Sequence, residues 1–202
     1  MEKYIQVYHD VISQEKCQYF IDKFEAYPEM QEVQNNSSIY DIVMQELQNT
    51  KGATLTQINL MKSADTPFRE DLDFLGETFM KYVEKYKEDC DIKSFQFPKK
   101  FGVEPFKIKR YLPDTTDEFP EHVDVLDYAT ARRFLVMFIY LNNNVGGSTE
   151  LPLKSQYDNH KFVSHCTQGS ILIFPPLWPW IHAGRKPLNE PKYIIGSYLH
   201  YV

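Results

Sequence analysis

Cysteine is scarce in this sequence. Its three residues, Cys17, Cys90 and Cys166, are odd in number and widely spaced. That excludes a paired disulfide frame and offers no zinc-ligand spacing, so reduced thiols and a cytoplasmic setting are expected. Long apolar runs are missing too. No stretch reaches the roughly 18 apolar residues that a membrane-spanning helix needs. The opening Met1-Glu2-Lys3-Tyr4-Ile5-Gln6 lacks the basic-then-apolar pattern of a secretory signal. Positive charge is in deficit: 22 Lys and Arg face 28 Asp and Glu, a net charge of −6. A nucleic-acid backbone is therefore not the expected partner, and neither is a membrane. No internal repeat and no linker divides the chain.

What is present suits one domain over residues 1–202. Hydrophobic residues make up 43% and aromatic residues 15%, enough for a sizeable core. Residues 4–8 read as a short strand. Ser13 is a good helix N-cap, and Cys17, Phe20, Ile21 and Phe24 follow at i, i+3, i+4 and i+7, which predicts an amphipathic helix ending near Pro28. Asn35-Asn36-Ser37-Ser38 reads as a turn, Ile39–Leu47 as a short helix and Leu55–Met61 as a strand. Thr66-Pro67 predicts a second helix, capped by Thr and started by Pro, through about residue 89. Its apolar face is Phe68, Leu72, Leu75, Phe79, Tyr82, Val83 and Tyr86. Residues 1–100 are thus a helical support region.

From Phe106 on, short strands alternate with turns, near 106–112, 120–126, 133–141, 148–152, 161–165, 170–174, 179–184 and 192–201. This is an α+β chain with a mainly β core over 106–202. Strand periodicity alone predicts a sandwich or a barrel.

The chemistry concentrates between Tyr111 and Lys192. On a strand, residues i and i+2 share a face, so His122-Val123-Asp124 presents an imidazole and a carboxylate side by side. His182, near the end of another strand-like run, completes a two-His, one-carboxylate set. Such a set holds Fe(II) on one face and leaves positions open. His-x-Asp alone arises easily by composition, and a His beside Trp178 and Trp180 also reads as a packed structural residue. The conjunction carries the weight. Lys192, at the head of an apolar strand, reads either as a solvated strand end or as a buried ammonium that needs an anion.

These residues carry a resemblance. His122-x-Asp124, His182 and Lys192 ten residues later, with Gly146-Gly147-Ser148-Thr149-Glu150-Leu151-Pro152 and Gln168-Gly169-Ser170-Ile171-Leu172-Ile173-Phe174, resemble the 2-oxoglutarate and iron(II)-dependent dioxygenases, prolyl 4-hydroxylase-like group. The likeness spans about Tyr111–Val202, with a fainter echo in residues 7–24. It implies a double-stranded β-helix, a form of jelly roll. It implies Fe(II) on His122, Asp124 and His182, with 2-oxoglutarate and O2 as cosubstrates and ascorbate as a possible addition. Lys192, Tyr140, Tyr111 and Thr149 would line the 2-oxoglutarate pocket, although Arg185 and Lys186 also lie near the last ligand. Arg133, Tyr198 and Trp180 are the implied substrate contacts. The implied reaction hydroxylates an unactivated carbon, with release of succinate and CO2. The retained Asp124 favours hydroxylation over halogenation. The expected substrate is a prolyl residue in a protein or peptide. The loops at 112–121 and 153–160 are candidate substrate loops, though the acidic Asp114, Asp117, Glu118 and Glu121 would favour a cationic target. An oxygenase acting on a free amino acid or other small molecule, and a non-catalytic jelly-roll binding module, are the alternatives.

Overall fold

The computed structural model describes residues 1–35, 54–63, 65–153 and 160–202. Residues 36–38 of the expected turn at 35–38, the expected helix at 39–47, and residues 154–159 of an expected substrate loop lie outside the described residues.

Two helices form where the apolar spacing places them. Helix α1 is Gln14–Ala26, and Ser13 caps it by accepting a hydrogen bond from the Lys16 amide at 3.2 Å. Helix α2 is Asp71–Asp89. It begins later than Thr66-Pro67 predicts. Those residues instead make a turn in which the Thr66 hydroxyl accepts from the Phe68 amide. The chain is recruited to the helix at Asp71, whose carboxylate is held by Lys16 and Lys23 of α1.

The strands build two sheets. The larger contains β1 (Gln6–Tyr8), β2 (Glu32–Asn35), β3 (Thr54–Asn59), β4 (Phe101–Val103), β5 (Lys107–Tyr111), β7 (Arg133–Tyr140), β10 (Ile171–Phe174) and β12 (Lys192–Tyr201). Its order is β1-β10-β7-β12-β5-β3-β2, with β4 also paired to β12. The smaller contains β6 (Phe119–His122), β8 (Asn144–Pro152), β9 (Lys161–Cys166) and β11 (His182–Gly184), in the order β6-β11-β8-β9. This is the expected jelly roll. The first hundred residues contribute β1, β2 and β3 to the large sheet as well as the helices.

Strand alternation sorts the side chains between two cores. Ile108, Met137, Ile139, Ile171, Ile173 and Ile195 leave the outer face of the large sheet and meet Phe20, Phe24, Leu75, Phe79 and Val83 of the helices. Each such fully buried side chain contributes roughly 1.5–3 kcal/mol. The other face turns inward, where Tyr111, Val136, Tyr140, Leu172, Phe174 and Ile194 pack with Leu151 and Phe162 of the small sheet. The functional groups lie in this inner space. All three cysteines are free and buried. Among the described residues, no helix is long and apolar enough to cross a membrane.

Candidate metal centre and cosubstrate pocket

His122 and His182 are register partners across β6 and β11, so sheet pairing alone puts the two imidazoles face to face. Their ring centroids are 4.2 Å apart. Asp124 is not on the same strand, as the sequence had suggested. β6 ends at His122, and Asp124 sits just beyond it, fixed by its amide donating to the Pro176 carbonyl at 3.1 Å. The carboxylate still arrives beside both rings. The ligand atoms of His122, Asp124 and His182 all lie within 4.8 Å of one another.

The hydrogen bonds around this trio decide what it can hold. His122 Nδ1 donates to the Pro120 carbonyl at 2.6 Å, and His182 Nδ1 to the Trp180 carbonyl at 3.1 Å. A carbonyl only accepts, so each neutral ring carries its proton on Nδ1 and turns the Nε2 lone pair inward. His182 Nε2 is 3.3 Å from Asp124 Oδ2, and His122 Nε2 is 3.6 Å from Asp124 Oδ1. Oδ2 is buried and accepts no hydrogen bond. Three lone-pair donors thus converge around a gap with no proton between them, an arrangement that a divalent cation satisfies. Burial alone would raise the Asp124 carboxyl, but the adjacent His182 and His122 imidazoles, where they carry charge in place of a metal, outweigh it and hold it well below the usual carboxylate range. Burial pushes the His122 imidazole down, which keeps it neutral for ligation.

Outer partners hold the ligands in place. Tyr198 donates its hydroxyl to Asp124 Oδ1 at 2.8 Å. Arg133 stacks on the Tyr198 ring with its guanidinium carbon 4.0 Å from the centroid. It also forks onto Glu104 at 2.7 and 2.8 Å and reaches the Asp124 carbonyl at 3.2 Å. Phe119 stacks on His122 at 3.7 Å between centroids. Burial, with Asp124 beside it, pushes the Tyr198 phenol well up, so it stays a donor.

Beside the trio lies a cavity of about 50 Å³ lined by Tyr111, Thr149, His182, Gly184 and Lys192. Lys192 is the register partner of Tyr111, and only 1% of it is exposed. No carboxylate pairs with it among the described residues, and burial pushes its ammonium down to about 8. Its Nζ lies 4.9 Å from the Tyr111 ring centroid. A Cβ on Gly184 would stand 3.8 Å from Lys192 Nζ and 3.9 Å from the Tyr111 hydroxyl, so glycine keeps the floor of the cavity clear. Tyr140 donates to Thr149 Oγ1 at 2.8 Å and lies 3.1 Å from Ser164 Oγ. A buried cation that shares its pocket with the Tyr111 and Thr149 side chains fits the distal carboxylate of a dicarboxylic acid.

Arg185 is committed elsewhere, at 2.8 Å from Glu150 and 3.6 Å from Glu121. The small cavity opens into a cleft of about 330 Å³ that shares Lys109, His122, Asp124, Phe138 and Tyr198 with it. Arg133 and Tyr198 line this cleft, but both are also tied to Asp124 or its neighbours. The Trp180 ring is not among the cleft's lining residues. It stands edge-on to Tyr4 at 6.4 Å, and its role at the site runs through its carbonyl. Within the acidic loop, Asp117 accepts from the Leu112 amide at 2.9 Å, and Glu121 stands 3.6 Å from Arg185. Sequence reasoning missed Glu104, Lys109 and Ser164. Only the alternation of Lys107, Lys109 and Tyr111 along one strand could have signalled the second of these.

Residues 106–200 match the model of the 2OG-Fe(II) oxygenase superfamily. The region that carries the candidate site belongs to this superfamily. The chain is thus an enzyme of the 2-oxoglutarate-dependent dioxygenase type, with Fe(II) as its metal and 2-oxoglutarate and O2 as cosubstrates. Solved oxygenase structures share the fold. A viral collagen prolyl hydroxylase from Paramecium Bursaria Chlorella virus-1, in complex with 2OG, is 15% identical with a TM-score of 0.60, covering 98% of this chain and 96% of that one. A Pseudomonas putida prolyl-4-hydroxylase is 12% identical with a TM-score of 0.59, covering 98% and 93%. A Trichoplax adhaerens prolyl hydroxylase, in complex with a hypoxia inducible factor oxygen degradation domain peptide fragment, is 13% identical with a TM-score of 0.67, covering 98% and 84%. No curated protein matches by sequence.

Proposed function

We propose that this oxygenase hydroxylates a prolyl residue in a protein or peptide, as one catalytic domain, with release of succinate and CO2. His122, Asp124 and His182 hold the iron. Lys192 takes the distal carboxylate of 2-oxoglutarate, with Tyr140 and Thr149 beside it and Tyr111 closing the pocket. The observation that carries the reading is the adjacency of two unsatisfied groups in one cavity: three converging lone pairs and a buried lysine that no carboxylate among the described residues pairs with. Iron with 2-oxoglutarate supplies an oxidant for an unactivated C–H bond at the expense of dioxygen and one carboxyl group.

The chain's own residues do the rest. The two Nδ1 hydrogen bonds hold the imidazoles as Nε2 ligands. Tyr198 fixes the carboxylate, and Arg133 fixes Tyr198. The apolar walls, Phe119, Val136, Phe138 and Ile194, keep water from the cavity and strengthen the Lys192–carboxylate attraction within it. The cleft has room for a chain segment, and its aromatic and apolar lining suits a proline ring. The peptide-bound and collagen-type neighbours lend support through their fold. The buried, unpaired thiols favour a reducing, cytoplasmic setting.

The test is incubation with Fe(II), 2-oxoglutarate, ascorbate and air against a panel of proline-containing peptides. The expected result is the gain of one oxygen on proline by mass spectrometry, matched by one succinate. Stimulation of succinate release by free L-proline alone would point to a small-molecule oxygenase instead.

A further inference from the structure

The substrate cleft contains a second cation that neither iron ligation nor the 2-oxoglutarate pocket uses. Strand β5 turns Lys107, Lys109 and Tyr111 to one face, because residues two apart share a side. Ile108 goes to the helices and Arg110 to Glu25 of α1. Lys109 therefore enters the inner space, where it lines both the 50 Å³ pocket and the 330 Å³ cleft. Its ammonium lies 5.3 Å from the centroid of Phe119, the ring stacked on His122. It stands one ring from the metal centre, and no carboxylate pairs with it among the described residues. Burial pushes it down to about 8, with Asp124 the main opposing charge.

Charge counting makes this informative. Arg133 is matched by Glu104 and Arg185 by Glu150. Of the other charged groups lining the pocket and the cleft, Lys107, Lys109 and Lys192 are cations and Asp124 and Glu121 are anions. Fe(II) and a doubly ionised 2-oxoglutarate cancel each other, so loading leaves that balance of one positive charge in place. A cation in a cavity walled by Phe119, Val136 and Phe138 is costly without an anion.

We infer that Lys109 forms an anion subsite in the substrate cleft and that the substrate brings a carboxylate to it, within one side-chain length of the reacting carbon. This deepens the proposed function, on which it rests. It runs against the expectation of a cationic target: of that loop's carboxylates, Asp117 accepts from the Leu112 amide and Glu121 stands 3.6 Å from Arg185. The carboxylate could come from an acidic side chain beside the target residue or from a free α-carboxylate.

The experiment is anaerobic. The Fe(II)·2-oxoglutarate complex is formed first and recognised by its visible charge-transfer band. It is then titrated with N-acetyl-L-proline, its uncharged amide, and the amide of N-acetyl-aspartyl-proline. The wild type should bind at least one carboxylate probe about tenfold or more tighter than the neutral amide. Which probe gains tells whether a terminal or a side-chain carboxylate is the source. Lys109→Met should erase the preference without weakening the amide, and Lys109→Arg should keep it. Equal binding of charged and neutral probes by the wild type, failure of all three included, overturns the inference. So does a Lys109→Met variant that loses 2-oxoglutarate instead, since the cation would then serve the cosubstrate. Absence of the band in the wild type would remove the proposed function itself, a separable outcome.

Discussion

At the scale of single residues, the site is a set of groups that the protein leaves unsatisfied at a cost. Asp124 Oδ2 accepts no hydrogen bond, and among the described residues neither the buried Lys192 nor the part-buried Lys109 pairs with a carboxylate. Buried polar groups are normally paired, so these exceptions mark where ligands belong. The site was legible through the conjunction of His122-x-Asp124, His182 and Lys192, each of which has a bland reading alone, although Asp124 lies beyond the end of its strand. Tyr198 is an implied substrate contact in the sequence, and its bond to Asp124 is not legible there, since it links positions 74 residues apart. That bond makes a prediction. Tyr198→Phe keeps the ring and loses the donor, so Fe(II) or Mn(II) affinity should fall about 10–100-fold, as for other outer partners of metal ligands. Unchanged metal affinity with unchanged folding, by titration and circular dichroism, would show that the bond does not orient Asp124.

At the scale of elements, strand alternation did most of the predicting and strand ends did most of the misleading. The observed β7 and β12 lie within a residue of the expected spans, because eight to ten residues of apolar, β-branched sequence fit little else. β6 stops at His122 because nothing in the local pattern records that Asp124 will bond to Pro176 across the molecule. The start of α2 was misplaced for the same reason, as Asp71 is drawn to two lysines of another helix. The close pairing of β12 with β7 depends on Gly196. A Cβ there would lie 2.6 Å from Phe138 Cβ and 2.8 Å from the Met137 carbonyl oxygen. Gly196→Ala should destabilise the fold by about 1–3 kcal/mol in urea unfolding. A variant as stable as wild type would mean that the two strands are not held at this spacing.

At the scale of the whole molecule, the helices brace the sheet that carries β5 and β12, and so they brace Lys109, Tyr111 and Lys192. The brace is partly electrostatic. Asp71 is 3% exposed and bonds to Lys16 at 3.0 Å and Lys23 at 2.8 Å. Burial works to raise its carboxyl, but the two lysines win and lower it below the ordinary 3.8. A carboxyl lowered in the folded state contributes stability above its unfolded value and loses it as pH falls through the folded one. Asp71→Asn should therefore be less stable by about 1–2 kcal/mol at neutral pH, a modest figure because the lysines are partly solvated. The gap to wild type should narrow below about pH 4. Urea unfolding at the two pH values checks it, and a gap independent of pH would contradict the assignment. None of this coupling was visible along the chain, where α1 and α2 read only as two amphipathic helices.

The central claim is that one cavity holds iron on His122, Asp124 and His182 and 2-oxoglutarate on Lys192. Its most direct measurement is anaerobic Fe(II) titration, followed by succinate formation from 2-oxoglutarate in air, for wild type and His182→Ala. The wild type should bind one iron and release succinate, if slowly without its prime substrate. The variant should lose metal affinity about 100-fold or more and turn over no 2-oxoglutarate. A wild type that binds no iron, or a variant that keeps both properties, would contradict it.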